Sequence, residues 1–195
     1  MIKHIVSGLK ALLLMTLLTG FLYPALIHGI ANIFFSDKAK GSLVRIKGEV
    51  IGSKLIGQNF DSLKYFWPRP SSVQYNPLPS GASNLGPLNP DLKSTVIKRE
   101  KDFRIINDVP DVKDLPPEIL TSSGSGLDPQ ISPYAAILQV SRVAKARNLG
   151  RKGEDQLVSL INDMTQKRQF LILGEPRINV FLLNLRVDRL YGQYR

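Results

Sequence analysis

The sequence contains no cysteine, and its two histidines, His4 and His28, both lie within the first 36 residues. A disulfide framework, a Cys-His pair, a Ser-His-Asp triad and a metal site built on histidine or cysteine are therefore excluded from residues 37–195. Acidic residues are also absent before Asp37. Together these absences remove most hydrolase and metalloenzyme functions from the longer part of the chain.

Named phosphate-binding motifs are missing as well. The stretch TSSGSGLDPQISP, Thr121 to Pro133, lacks the G-x-S-x-G of a nucleophile elbow, and Pro129 occupies the place of the third glycine in a dinucleotide fingerprint. GEVIGSK, Gly48 to Lys54, has the wrong spacing for a Walker loop. Carboxylate pairs such as Glu154 and Asp155 are explained by the dipole at a helix N-terminus. The sequence therefore predicts a chain that is not an enzyme in its own right.

The net charge of +10 does not predict nucleic-acid binding. The basic residues are scattered, with short clusters at Lys98-Arg99 and Arg151-Lys152, and no aromatic side chains are interleaved with arginines as a stacking platform.

The N-terminal region contains a long apolar run. Between Lys10 and Asp37 lie 26 consecutive residues without an acidic or basic side chain, and about 20 such residues span a bilayer as a helix. The apolar region of a cleavable signal peptide usually runs about 7–15 residues, whereas Ala11 to Ile27 already comprises 17. We therefore predict a retained transmembrane anchor over residues 1–36, with a helix from Lys10 to Phe35, and a soluble domain over residues 37–195.

The charges that flank this run leave its orientation open. The flanking basic residues are Lys3 and Lys10 on one side and Lys38, Lys40, Arg45 and Lys47 on the other. Their balance favours a cytoplasmic domain, but large domains are translocated largely regardless of charge.

The soluble part predicts short elements joined by long loops. Residues 43–60 indicate short strands, and six prolines between Trp67 and Pro90 indicate an extended loop. We predict helices over 91–104, from Pro133 to a C′ glycine at Gly150, and from Glu154 onward. Arg177 to Asp188 is apolar and β-prone, which predicts a strand covered on both faces. The fold class is therefore α+β, with one N-terminal transmembrane helix followed by one loop-rich domain.

Six stretches of the chain, taken with the single N-terminal span, resemble one family. They are GSKLIGQNF (Gly52 to Phe60), YFWPRPS (Tyr65 to Ser71), SGASNLGP (Ser80 to Pro87), TSSGSGLDPQISP, QVSRVAKAR (Gln139 to Arg147) and GEPRINVFLLNL (Gly174 to Leu185). In this order they are similar to the KdpC subunit of the Kdp-type potassium-transporting P-type ATPase of bacteria and archaea. One departure is Gln130, where family members commonly carry histidine.

The resemblance implies an accessory subunit of a high-affinity, ATP-driven potassium transport complex. The implied partners are a channel-like potassium-binding subunit, a P-type ATP-hydrolysing subunit and a very small single-span subunit, with membrane lipid around the anchor. Two roles are implied as alternatives: a catalytic chaperone that raises the ATP affinity of the hydrolysing subunit, and a structural or gating element beside the potassium entrance. ATP and potassium would be met through the complex, and no cofactor is expected to bind this chain directly.

The resemblance also implies a location in the bacterial inner membrane, with the large domain on the periplasmic, extracytoplasmic side. That placement does not agree with direct contact to cytoplasmic ATP. A function from another class remains as an alternative: a membrane-anchored periplasmic binding protein for a small ligand, which would be a ligand-loaded monomer rather than part of a larger complex.

Two groups of residues are candidates for sites, and neither includes a metal ligand or a catalytic residue. The first, for partner docking or nucleotide contact, consists of Ser122, Ser123, Gly124, Ser125, Gly126, Asp128 and Gln130, because a glycine- and serine-rich loop before a helix can present free backbone groups. The second, for an interface, consists of Trp67, Arg69, Ser83 and Asn84. A plain connector, core packing and turn formation remain the alternatives. Bulky substitution at Gly124 or Gly126 is expected to weaken the complex and spare the fold.

Overall fold

The computed structural model describes residues 1–192, and the chain divides into two compact units, Met1–Ser53 and Lys54–Arg195. The predicted boundary after residue 36 separates a membrane segment from a soluble one. It remains a prediction.

The first unit begins with a continuous helix over Ile2–Phe34, which is long and apolar enough to cross a membrane. It consists of α1 (Ile2–Met15), a π-helical stretch (Thr16–Leu22) and α2 (Tyr23–Phe34). The π-helical stretch lies directly before Pro24, which has no N–H to donate to the preceding turn. The helix therefore starts earlier than the predicted Lys10 and ends within one residue of the predicted Phe35.

A short helix, α3 (Ser36–Ala39), and a β-hairpin complete the first unit. The hairpin pairs β1 (Leu43–Ile46) with β2 (Glu49–Ser53) in antiparallel register, so that Ile46 faces Glu49. Its two-residue turn, Lys47-Gly48, has φ of 51° and 88°, as the twist of a tight hairpin requires. The predicted short strands are confirmed here.

The second unit is mainly helical and has one very small sheet. Its elements are α4 (Pro90–Asn107), a 3₁₀ turn (Pro117–Ile119), β3 (Gln130–Ile131), α5 (Pro133–Ile137), α6 (Val140–Ala146), α7 (Gly150–Met164), β4 (Ile178–Asn179) and α8 (Val180–Tyr191). The sheet pairs β3 with β4 antiparallel, Gln130 with Asn179. Residues 54–89 contain neither helix nor strand, which confirms the extended proline-rich loop. The α+β class with one candidate span is confirmed.

The core of this unit is built by the apolar faces of α6, α7 and α8. Leu157 and Ile161 from α7 and Leu183 from α8 are fully buried, and the loop residue Phe66 is buried among the same cluster. Burying side chains of this size stabilises a fold by roughly 1.5–3 kcal/mol each.

The single helix predicted from Pro133 to Gly150 is wrong in its second half. Ser132 caps its start as expected, since its Oγ accepts from the Ala135 N–H at 3.1 Å. The helix then breaks at Leu138-Gln139 and resumes as α6. The left-handed residue after α6 is Asn148, with φ of 57°, and Gly150 is the first residue of α7. The Leu149 N–H bonds to the Ala144 carbonyl, which closes α6 with a Schellman motif without a glycine.

The strand predicted over Arg177 to Asp188 is also wrong. Only Ile178–Asn179 is extended, and the rest is α8. The Asn179 side chain accepts from the Leu182 N–H at 3.0 Å and so caps the helix. Val180, Asn184 and Asp188 are all buried at a spacing of four, which is a helical repeat rather than a strand alternation.

Candidate functional site

Phe66 and Trp67 lie in an extended segment whose backbone is held by side-chain amides from two helices. The Phe66 N–H donates to Asn184 Oδ1 at 2.8 Å, and its carbonyl accepts from Asn184 Nδ2 at 2.9 Å. Gln139 treats Trp67 in the same way, at 2.7 Å and 3.2 Å. These two amides supply the partners that a neighbouring strand would otherwise provide to a buried backbone.

A buried arginine on α6 holds the residues just before them. Arg142 is only 5% exposed, and its Nη1 donates to the Leu63 and Tyr65 carbonyls at 2.7 Å and 2.9 Å. Its Nε donates to Asn107 Oδ1 and its Nη2 to Gln139 Oε1, both at 2.8 Å. All four acceptors are neutral oxygens, and burial lowers the pKa of Arg142 to about 10.

The Arg142 guanidinium also stacks on the Trp67 ring, 4.0 Å from the ring centre, a cation–π arrangement. The indole N–H of Trp67 donates to the Ser62 carbonyl at 3.1 Å. Another edge of Trp67 lines a shallow groove of about 190 Å³ beside Phe103 of α4. Trp67 therefore packs within its own domain, and its use as an interface anchor remains a prediction.

A second buried arginine forms an ion pair. Arg147 Nη2 donates to Asp188 Oδ1 at 2.6 Å, and the Tyr65 hydroxyl donates to the other carboxylate oxygen at 3.1 Å. Arg147 Nε donates to the Lys64 carbonyl at 2.7 Å. Both arginines thus fix the segment that precedes Trp67. We call residues 63–67 with these helical partners the clamp.

The Thr121–Pro133 loop packs against three other segments of the same unit. Its backbone oxygens accept from the N–H groups of Gly57, Gly81 and Val180 at 2.7, 2.9 and 2.9 Å, and the Ser123 N–H donates to the Pro70 carbonyl at 3.3 Å. Only Gly124 and Ser125 are exposed within 121–130. The loop therefore joins distant parts of the chain and presents a narrow exposed tip.

The two glycines singled out in this loop differ in their surroundings. Gly126 has φ of 69°, and a Cβ there would lie 2.5 Å from Val73 Cγ2 and 2.8 Å from the Gly81 oxygen. A Cβ at Gly124 would meet no atom within 4 Å. The expectation that a bulky residue at Gly126 spares the fold is therefore wrong, and Gly124 is the position at which docking can be tested.

The structure brings three candidates from the two predicted groups together. Arg69 Nη1 donates to Asp128 Oδ2 at 3.1 Å, and the Gln130 N–H donates to Asp128 Oδ1 at 3.0 Å. These residues line an open groove of about 640 Å³, with Glu118, Tyr134 and Glu175 among its other walls. The groove is a surface feature of the second unit and mixes both signs of charge.

The remaining candidates do not join this groove. Ser122 Oγ accepts from Arg99 at 3.4 Å, and Ser123 is buried. Ser83 and Asn84 lie exposed in another loop, where Asn84 has φ of 54°, the turn geometry that asparagine tolerates. Among residues 1–192, no group of three or more histidines, cysteines, aspartates or glutamates is placed to hold a metal ion.

Comparison with known proteins decides the family. A family model described as K+-transporting ATPase, c chain, matches residues 5–189. The chain belongs to the KdpC family. Potassium-transporting ATPase KdpC subunits from Polynucleobacter asymbioticus and Geobacter metallireducens are 47% and 45% identical to it, over 93% and 96% of this chain and 96% and 98% of their own. The KdpC protein from Mycobacterium bovis is 44% identical over 96% of this chain and 99% of its own.

KdpC membership confirms the family resemblance and the prediction of a non-catalytic subunit. With the candidate N-terminal span, it indicates association with the membrane. Three of the stretches that carry the resemblance, YFWPRPS, QVSRVAKAR and GEPRINVFLLNL, contribute to the clamp.

Sequence reasoning missed the residues that build the clamp from the helices: Asn107, Gln139, Arg142, Asn184 and Asp188. A usable signal was present, since Asn184 and Asp188 interrupt an apolar run at a spacing of four. Buried polar side chains in such a pattern need partners, and the backbone of a proline-rich loop offers them.

Proposed function

We propose that this chain is a docking subunit of a potassium-transporting ATPase complex that assists assembly and gates potassium entry without binding nucleotide itself. The observation that carries the proposal is the fixed position of the Thr121–Pro133 loop, which is bonded to the segments around Gly57, Pro70 and Gly81. A loop held in this way on a packed scaffold suits recognition of a partner surface.

The hydrogen bonds of the loop argue against nucleotide contact. A glycine-rich phosphate site needs several backbone N–H groups that converge on open space. Here the N–H groups of Ser123, Gly126, Leu127 and Gln130 already donate to oxygens of the protein. The helix that follows has five residues, and Ser132 caps it. These contacts favour docking over an ATP site.

We further propose the partners and the placement. The partners are the potassium-binding, ATP-hydrolysing and small single-span subunits of the pump, the anchor over residues 1–36 is retained, and residues 37–195 lie outside the cytoplasmic membrane. In this arrangement a chaperone effect on ATP use would pass through contacts with the hydrolysing subunit. A stand-alone ligand-binding protein is disfavoured by the KdpC membership.

The docking role is tested with Gly124→Trp in the full chain, co-produced with the rest of the pump. Because a side chain at Gly124 meets open space, we expect unchanged thermal unfolding, a large loss of complex yield and poor growth on limiting potassium. The matched control is Val112→Trp, at a fully exposed loop position elsewhere in the unit. Normal assembly of the Gly124 variant would contradict the proposal.

Nucleotide contact and placement are tested separately. Ser122→Ala should leave the KM for ATP of the assembled pump unchanged, and a clear rise in KM with full assembly would indicate direct contact with ATP. For placement, Val112→Cys introduces the single cysteine of the sequence. A membrane-impermeant maleimide should label it in intact spheroplasts, and protection until lysis would reverse the orientation.

A further inference from the structure

A hairpin projects from the second unit between α7 and β4. The N–H and carbonyl groups of Gln166 and Arg177 exchange hydrogen bonds at 2.8 and 3.1 Å, and those of Gln169 and Leu173 do so at 2.8 and 2.9 Å. The chain reverses between the second pair, with φ of 52° at Phe170 and 68° at Leu171. We call Phe170–Leu173 the hairpin tip.

The hairpin tip is strongly apolar and exposed. Phe170, Leu171, Ile172 and Leu173 are 85%, 83%, 75% and 54% exposed. Within residues 54–192, no other run of exposed large apolar residues is longer than two. Contiguous apolar surface of this kind marks a site of contact with a protein or a membrane, whereas isolated exposed residues need no explanation.

The charges beside the hairpin tip favour a membrane. Lys167, Arg168 and Arg177 flank it, and the single acidic residue of the hairpin, Glu175, is paired with Arg168 at 2.7 Å. An apolar end with a basic rim matches the interface of a bilayer that contains anionic lipid. A protein partner would have to offer an apolar recess with an acidic rim.

The backbone of the hairpin tip also suits a region that is poor in water. The N–H groups of Gln169, Leu171, Ile172 and Leu173 all donate to carbonyls within the hairpin. Polar backbone groups must be satisfied internally where lipid replaces water. This turn can therefore enter the interfacial layer without leaving these donors unpaired.

We propose that the hairpin tip inserts into the interfacial layer of an anionic membrane, as a lipid contact separate from the N-terminal span. One such contact alone binds a membrane weakly, and stable anchoring takes two signals. Because the second unit is covalently joined to the span, the bilayer is present at an effective concentration on the order of millimolar, at which weak insertion suffices. The proposal does not depend on the docking role of the Thr121–Pro133 loop.

The test places one nitroxide on the full chain in lipid nanodiscs. The sequence has no cysteine, so Leu171→Cys gives a single label at the tip. Leu88→Cys, at an apolar loop residue that is 97% exposed, gives the matched control. We expect collisions of the Leu171 label with oxygen to exceed those with a water-soluble nickel chelate in discs containing anionic lipid. The Leu88 label should show the reverse.

Two outcomes would overturn the proposal. The first is a Leu171 label that is as accessible to the nickel chelate as the Leu88 label. The second is a Leu171 label that is shielded only when the other pump subunits are present, which would make the tip a protein-binding element. Thermal unfolding of each labelled chain checks that the fold is intact, and the tip contributes no core residue.

The basic rim is tested with Lys167→Gln. A basic residue near an anionic surface strengthens binding by roughly fivefold, so the fraction of inserted Leu171 label should fall in discs with anionic lipid and stay the same in neutral discs. An equal effect in both kinds of disc would refute the role assigned to the charge.

Discussion

Replacing Arg142 with methionine tests whether the clamp stabilises the fold. The substitution keeps a long flexible side chain and removes the four hydrogen bonds to Leu63, Tyr65, Asn107 and Gln139. The Gln139 oxygen retains the Trp67 N–H as a donor. The other three oxygens lose the bond from Arg142, at a cost of roughly 1–3 kcal/mol for each buried group left unpaired.

Two further contributions enter the estimate. Loss of the stack on Trp67 costs about 1 kcal/mol. In the other direction, burial lowers the pKa of Arg142 to about 10, so removing the cation relieves a penalty of about 3 kcal/mol. Since the Leu63 and Tyr65 carbonyls are only partly buried, the lower end of the hydrogen-bond range applies to them. The expected net loss in unfolding free energy is roughly 3 kcal/mol.

The assay is urea unfolding of the full chain followed by the fluorescence of Trp67, the single tryptophan. A loss of this size should also lower the midpoint of thermal unfolding by roughly 6–12 °C. Arg151→Met, at an exposed position of α7, is the matched control and should change the free energy by less than about 0.5 kcal/mol. Arg142→Lys should be nearly as damaging as Arg142→Met, because one ammonium cannot reach acceptors that lie in three directions. If Arg142→Met behaves like the control, the bonds of the cation merely offset its burial and the reasoning fails.

Two other changes test the same packing. Asn184→Ala leaves the Phe66 N–H and carbonyl without partners and should cost about 2–4 kcal/mol in urea unfolding, whereas Asn162→Ala at an exposed site should cost little; equal losses would contradict the clamp. Burial raises the pKa of Tyr75 to about 12, so the unfolded chain loses that proton near pH 10 while the folded chain keeps it. Stability should therefore fall from about pH 10 to 12, and a Tyr75→Phe variant that shows the same fall would refute this cause.

Local signals in the sequence predicted several elements well. Ser132 followed by Pro133 marks a helix start because one side-chain oxygen and one fixed φ act within a few residues, and the structure has both. The six prolines between Trp67 and Pro90 exclude helix and central strand for the same local reason, and the structure has neither there.

The errors arose where a distant segment decides the local structure. The helix predicted from Pro133 to Gly150 breaks at Leu138-Gln139, and Gln139 is bound to Trp67, 72 residues away in the chain. The strand predicted over Arg177 to Asp188 rested on apolar composition, which does not separate a buried strand from a buried helix. The position of Asn184, four residues after Val180 and four before Asp188, was the better guide.

The candidate site was predicted only in part, for the same reason. Sequence reasoning selected Arg69, Asp128 and Gln130 in two unrelated groups, and the structure places them around one groove. Nothing local to Gly126 shows that its Cα faces the Gly81 carbonyl from a separate loop. Contacts between loops without regular structure have no period in sequence from which they can be read.

The clamp explains how a unit with so little sheet can hold long loops in place. Loops at a surface are usually mobile because few buried contacts fix their backbone. Here Gln139 and Asn184 pair with consecutive backbone units as a strand would, and Arg142 and Arg147 bind the carbonyls before them. A strand edge would be open to unwanted pairing with other chains, whereas side chains from helices satisfy the backbone and expose no edge. The proline-rich loops that meet the Thr121–Pro133 loop therefore start from a fixed segment, and we expect loosening of the clamp to weaken docking even when the residues of the loop are unchanged.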